Sequence, residues 1–191
     1  MIIGLTGSIA SGKSLVSNYL KQKNYQIIDC DEISHYVLTI PSVILLLEKE
    51  FGKQIIIDGV VNRKLLAEIV FNDVEKKSQL ELIVFPEILE EIKKQIKEKK
   101  GIVFLDAPLL FEYNLEYLTE KIIVVKSDKE VQIQRLIKRD NINEEYALKK
   151  IHSQLPIEEK EKYANFIIDN SLSIENTYNQ VDQILKLLEE Q

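Results

Sequence analysis

The run Gly7-Ser8-Ile9-Ala10-Ser11-Gly12-Lys13-Ser14 meets the spacing G-x-x-x-x-G-K-[ST], which sets two glycines, a lysine and a hydroxyl where a backbone can wrap an anion. Glycine at the first and sixth positions permits positive φ and close backbone approach, and amides from about Ala10 to Leu15 can converge on phosphate oxygens. Lys13 would bring a point charge to the β and γ phosphates, and Ser14 a hydroxyl for Mg²⁺. Upstream, "MIIGL" reads as an apolar strand. Downstream, "SLVSNYLKQK" reads as a helix with Leu15, Tyr19 and Leu20 on one face, so the run joins a strand to a helix amino terminus, a ready anion site. A tight turn with a surface lysine is the plainer alternative, and it explains neither flank.

Acidic residues stand where such a loop would use them. "GIVFLDAPLLFE" ends an apolar strand in Asp106, where P-loop proteins hold a carboxylate near the metal, while a turn or cap aspartate is the bland alternative. Glu112, six residues on, is either structural or a supporting group. "IIDCDEISHYV" sets Asp29 and Asp31 at alternate positions, pointing the same way if the strand runs through both. A carboxylate there could accept the proton of an attacking hydroxyl. Asp31 also precedes a helical pattern and could be its N-cap, and His35 within that helix suits a surface or ribose-facing place. "QIQRLIKRD" puts Arg135 and Arg139 at i and i+4, on one face, able to reach one anionic region or to pair with Asp140 on a solvated helix.

The elements that must carry these groups follow from periodicity. "MIIGL", "YQIID", "GIVFLD", "KIIVV" and "NFIID" are five β-branched runs separated by helical patterns, which predicts an α/β fold with a parallel five-stranded sheet flanked by helices. Between the second and third runs, "PSVILLLEKEF", "NRKLLAEIVF" and "DVEKKSQLELIVF" predict helices, with Pro86 separating the last from "EILEEIKKQIKEKK". The expected organisation is one domain: a P-loop NTPase-type core at about 1–35, 100–128 and 164–191, a helical insertion at about 36–99 and a helical lid region at about 129–163.

The bulk numbers fit one such domain: 191 residues, 45% hydrophobic, with a net charge of −6. The acidic balance argues against a nucleic-acid footprint. Cys30 is the single cysteine, so no intramolecular disulfide is available and a reducing, cytoplasmic setting is expected. No apolar run reaches bilayer length, and the first strand begins too early for a signal peptide, so neither membrane nor obligate protein partner is expected.

In their order, "GLTGSIASGKS", "IIDCDEISHYV", "DGVVNRKLLAEIVF", "LELIVFPEI", "DAPLLFE", "RLIKRD", "IHSQLPIEEKEKYANFIIDN" and "TYNQVDQIL" resemble the dephospho-coenzyme A kinase family almost end to end. The resemblance implies transfer of the γ-phosphoryl of ATP, with Mg²⁺, to the ribose 3′-hydroxyl of dephospho-coenzyme A. It implies Asp31 as the base, Lys13 and Ser14 as phosphate and Mg²⁺ contacts, and Arg139 as a lid arginine near the nucleotide. Arg63 becomes a substrate-side arginine, the insertion an acceptor-binding wall, and Asn170 a neighbour of the nucleotide base. The chain departs from the family pattern at Phe85, where His usually precedes the proline, at Lys150 in place of a frequent arginine, and at Ser8 and Ala10, where glycine is common. It also lacks a Pro-Gly turn after Val37. Another P-loop kinase acting on a nucleoside or metabolite hydroxyl is the nearest rival. A GTP-binding switch lacks its N-K-x-D motif here, and an inactive structural protein would have no use for Asp31, Lys13, Ser14 and Arg139.

Overall fold

The computed structural model describes residues 1–71 and 73–190. In chain order the elements are β1 (Ile2–Gly7), α1 (Lys13–Gln22), β2 (Gln26–Asp29), α2 (Cys30–Val37), α3 (Pro41–Phe51), β3 (Ile56–Ile57), β4 (Val60–Val61), α4 (Arg63–Phe71), α5 (Val74–Glu98), β5 (Val103–Asp106), β6 (Lys121–Lys126), α6 (Lys129–Asp140), α7 (Glu144–His152), α8 (Ile157–Glu161), β7 (Phe166–Asp169) and α9 (Ile174–Glu189). By its internal contacts the chain divides into two compact units, Met1–Ile28 with the chain from Lys99 onward, and Asp29–Glu98.

In the first unit the five expected apolar runs form one sheet in the order β2-β5-β1-β6-β7. β1 runs parallel to β5, with Ile3 beside Phe104, and parallel to β6, with Leu5 beside Ile123. A central parallel strand is covered on both faces, which is why β1 is a continuous apolar run instead of an alternating one. Ile3 and Leu5 of β1, Val16 and Leu20 of α1, and Val181, Ile184, Leu185 and Leu188 of α9 share one buried core with Phe104, Ile123, Val125 and Ile168. Each such side chain contributes about 1.5–3 kcal/mol by leaving water. α1 therefore buries its Val16–Leu20 stripe. Leu15 stays partly exposed, and Tyr19 lies beside the stripe, stacked on Tyr178 with ring centroids 3.8 Å apart. Strand order reverses around β1, whose carboxyl end is thus the switch point where open α/β sheets bind ligands.

The second unit is helical, with Ile33 and Val37 of α2, Val43 and Leu47 of α3, Leu66 of α4 and Ile92 of α5 buried. Two expectations change here. α5 runs unbroken for 25 residues through Pro86, where a break was expected. Proline removes the bond to the carbonyl four residues back, which belongs to Leu82. Leu82 is 75% exposed and Pro86 is also exposed, so water can serve that carbonyl and the helix continues. The second change is an antiparallel pair, β3 with β4, in a region read as helical. Its turn is Asp58-Gly59, both at positive φ, the backbone of a tight primed hairpin. Among the described residues no single helix is long and apolar enough to cross a membrane. α2 and α3 would pass only as a pair, and they are bent by 73°.

Candidate active site

β1 delivers Gly7 to the start of the phosphate loop, and α1 begins at Lys13 behind Gly12. A side chain at Gly7 would place its Cβ 2.3 Å from the Val125 carbonyl oxygen, so only glycine lets the loop leave the sheet this close to β6. Gly12 caps α1 at φ 94°, and a Cβ there would fall 1.8 Å from Asn170 Nδ2. Gly12→Ala is accordingly expected to weaken ATP binding about tenfold or more, since left-handed strain alone costs about 1–2 kcal/mol. Calorimetric titration checks this, and wild-type affinity would mean that the loop accommodates the methyl group.

Side chains from outside the loop hold its shape. The Ser11 amide donates to the Ser8 carbonyl at 3.1 Å, and the Ser11 carbonyl accepts from Asn170 Nδ2 at 2.8 Å and from Arg135 at 3.3 Å. Gln132 Nε2 donates to Ser8 Oγ, and the Ile9 amide donates to Gln154 Oε1 at 2.7 Å. Of the amides expected to converge on phosphate, those of Ser11 and Leu15 are already engaged, the latter with Gly12 at 2.9 Å. Those of Gly12, Lys13 and Ser14 precede the first i→i−4 bond, from Val16 to Gly12, and are the ones a helix leaves for a ligand. Ala10 takes φ 60°, a left-handed conformation that explains why glycine suits this position.

Lys13 Nζ forms an ion pair with Asp106 Oδ1 at the carboxyl end of β5, the next strand in the sheet, with the carboxylate 4% exposed. The Ser14 hydroxyl and Asp106 are hard oxygen donors, the type Mg²⁺ takes, and among the described residues no cluster of three His, Cys, Asp or Glu side chains forms a cage of its own. Such a donor set suits an ion completed by water and substrate phosphates.

The two arginines separate in the fold. Arg135 turns inward, donating to the carbonyls of Ser11 and Asn170, the latter at 3.0 Å. Arg139 is 56% exposed and is held by Asp140 at 2.7 Å, while Lys150 Nζ reaches the same carboxylate at 2.6 Å. One face therefore supplies a guanidinium bonded to the phosphate loop and an exposed one paired with Asp140. Arg139 first, then Lys150, holds the Asp140 carboxyl well below the usual carboxylate range. A depressed carboxyl contributes stability above its unfolded value, near pH 4, and loses it as pH falls toward the folded one. Wild-type melting temperature should thus fall more steeply below about pH 4 than that of Asp140→Asn, and parallel melting curves would assign the acid sensitivity elsewhere.

Asn170 is 2% exposed, with Nδ2 donating to the Ser11 carbonyl and Oδ1 accepting from Thr177 at 2.9 Å. It braces the loop through these two bonds. Gln132, Gln154 and Thr177, which share this bracing, carry no local motif. Lys160 was also invisible in sequence, lying in the charge run "IEEKEK" yet fully buried. Its Nζ reaches Glu112 at 2.9 Å, the Pro108 carbonyl at 3.1 Å and the Gly7 carbonyl at 3.4 Å. Glu112 also accepts from the Leu155 amide at 3.0 Å, which makes it a structural hub.

β2 ends at Asp29, the first residue of the second unit, and α2 starts at once, so the strand does not continue through both aspartates. Asp29 is the N-cap, accepting from the Asp31 and Glu32 amides at 3.0 and 3.1 Å. Asp31 is exposed in the first turn of α2, and Arg63 is exposed at the first residue of α4. His35 is exposed on α2, and Phe85 sits within α5.

A phosphate loop after the central strand, with its lysine paired to an aspartate at the end of the neighbouring strand, defines the class as a P-loop nucleotide-binding fold. Solved shikimate kinases share the fold, that of Bacteroides thetaiotaomicron at TM-score 0.54 and 18% identity. The model of the dephospho-CoA kinase family matches residues 1–176, and this chain belongs to that family. It is 42% identical to the dephospho-CoA kinase of Fusobacterium nucleatum over 98% of each chain, and 45% identical to that of Carboxydothermus hydrogenoformans over 97% of this chain and 93% of the relative. The dephospho-CoA kinase structure from Campylobacter jejuni superposes with TM-score 0.75 at 34% identity, covering 97% and 95% of the two chains.

Proposed function

We propose that this chain transfers the γ-phosphoryl group of ATP to the ribose 3′-hydroxyl of dephospho-CoA, releasing CoA and ADP, the last step of coenzyme A assembly. The observation that carries this is the family match over residues 1–176, which spans the phosphate loop, Asp31, Arg63 and Asp106 together. The transferred group passes through a state of dispersed negative charge, so the protein contributes position and electrostatics more than covalent chemistry. The amides at the start of α1 and Lys13 hold the β and γ phosphates, and Arg139, exposed at the end of α6, neutralises charge as the bond to the leaving oxygen lengthens. Asp31 accepts the proton of the 3′-hydroxyl as its oxygen attacks phosphorus. Arg63 binds an anionic part of the acceptor. Ser14 and Asp106 would hold Mg²⁺, which when bound neutralises phosphate oxygens. The single cysteine, Cys30, suits a reducing cytoplasm.

A coupled ADP-release assay with ATP and Mg²⁺ tests this, comparing dephospho-CoA with adenosine, AMP and no acceptor. The expected result is ADP release with dephospho-CoA and a product heavier by one phosphoryl group. Turnover with adenosine in place of dephospho-CoA would transfer the chemistry to a different hydroxyl and discard the substrate.

A further inference from the structure

None of the steps above uses Lys160, although it is fully buried. Taking an ammonium out of water costs several kcal/mol unless it is paired and its remaining donors are satisfied. An ammonium has three N–H donors, and the two carbonyls that accept from Lys160 and the carboxylate that pairs with it come from three places that border the chemistry. Gly7 O, at 3.4 Å, is where the phosphate loop begins, and Pro108 O, at 3.1 Å, lies two residues beyond Asp106. Glu112 Oε1, at 2.9 Å, is also the acceptor for the Leu155 amide. Pro108 O accepts from Thr6 Oγ1 as well, at 3.2 Å, so the residue before the loop and the segment after Asp106 meet at one carbonyl. The neighbouring Lys162 behaves as a charge run predicts, 62% exposed and paired with Glu159. The helical arm that carries Arg139 returns to the sheet through Gln154, Leu155 and Lys160, and all three touch the loop or its partner segment.

We propose that Lys160 is a positioning residue for phosphoryl transfer. Its ammonium sets the spacing between the loop that carries Lys13 and the strand end that carries Asp106, and through Glu112 and Leu155 it ties the return of the arm to both. The pair bears no net charge toward the nucleotide, so its effect falls on geometry. Loss of Lys160 therefore slows the chemical step more than it weakens ATP binding.

This rests on the phosphoryl-transfer activity proposed above, and wild-type turnover of dephospho-CoA in the same assay separates a failure of that activity from a failure of the role of Lys160. The variants are Lys160→Met, Lys160→Gln and the double change Glu112→Gln/Lys160→Met. Each is characterised by kcat, by KM for both substrates, by calorimetric ATP affinity and by thermal melting, with kcat expressed per folded molecule. Misplacement of about 1 Å can cost about 10²-fold, so Lys160→Met should lower kcat by about 10- to 100-fold while ATP affinity stays within about threefold. The double variant no longer strands a half-buried carboxylate, so it should recover melting temperature but not kcat. Wild-type kcat in any folded variant would overturn the proposal, as would ATP affinity falling in step with kcat, or kcat returning with stability in the double variant. Failure of all three to fold would make Lys160 a structural residue and overturn it equally.

Discussion

The Asp31→Asn variant is expected to turn over dephospho-CoA about 10³-fold more slowly than wild type, with ATP affinity unchanged within about threefold, because a positioned general base contributes about 10²–10⁴-fold. Asparagine keeps the size of the side chain and can still accept a hydrogen bond from the hydroxyl, but it cannot take the proton. The substitution leaves α2 intact, since the cap belongs to Asp29, whose carboxylate receives the amides of residues 31 and 32. Steady-state kinetics beside calorimetric ATP titration is the measurement. Turnover equal to wild type would remove Asp31 from the proton transfer and leave its place at the helix start to electrostatics.

Lys13→Ala is expected to have two separable consequences. Removing a donor aimed at developing charge should lower kcat/KM by about 10²–10³-fold. The same change takes the ammonium from Asp106, whose side chain is only 4% exposed, and an abandoned buried carboxylate destabilises the fold. Lys13→Ala should therefore melt below wild type, and adding Asp106→Asn should restore melting temperature while activity stays low. Normal turnover and ATP affinity in the single variant would refute the role of Lys13 at the phosphates.

How much of this was legible in the chain depends on how far each interaction reaches. The loop is written in consecutive residues, and a Cβ would run into the Val125 carbonyl at Gly7 and into the Asn170 side chain at Gly12. The three central strands were legible because burial on both faces of a parallel sheet forces continuous apolar runs, and the partly exposed edge strands β2 and β7 by their short β-branched runs. Pro86 misled, because its effect depends on which side of α5 faces water, a property of packing and not of the local string. The spacing of Arg135 and Arg139 correctly put them on one face. Their partners, Ser11 and Asn170 for one and Asp140 for the other, set their different roles.

By itself the sequence determined the class of fold, the anion-binding loop and the acidic residues available to it, since each depends on local backbone geometry and short-range periodicity. Tertiary structure alone decided which arginine braces the loop and which lysine of a charged run turns inward. Lys160 and Gly7 are 153 residues apart in the chain, and only the closing of the sheet brings them together. Burial of a charge is decided by whether distant acceptors arrive to satisfy it, and no local pattern of charges encodes that arrival.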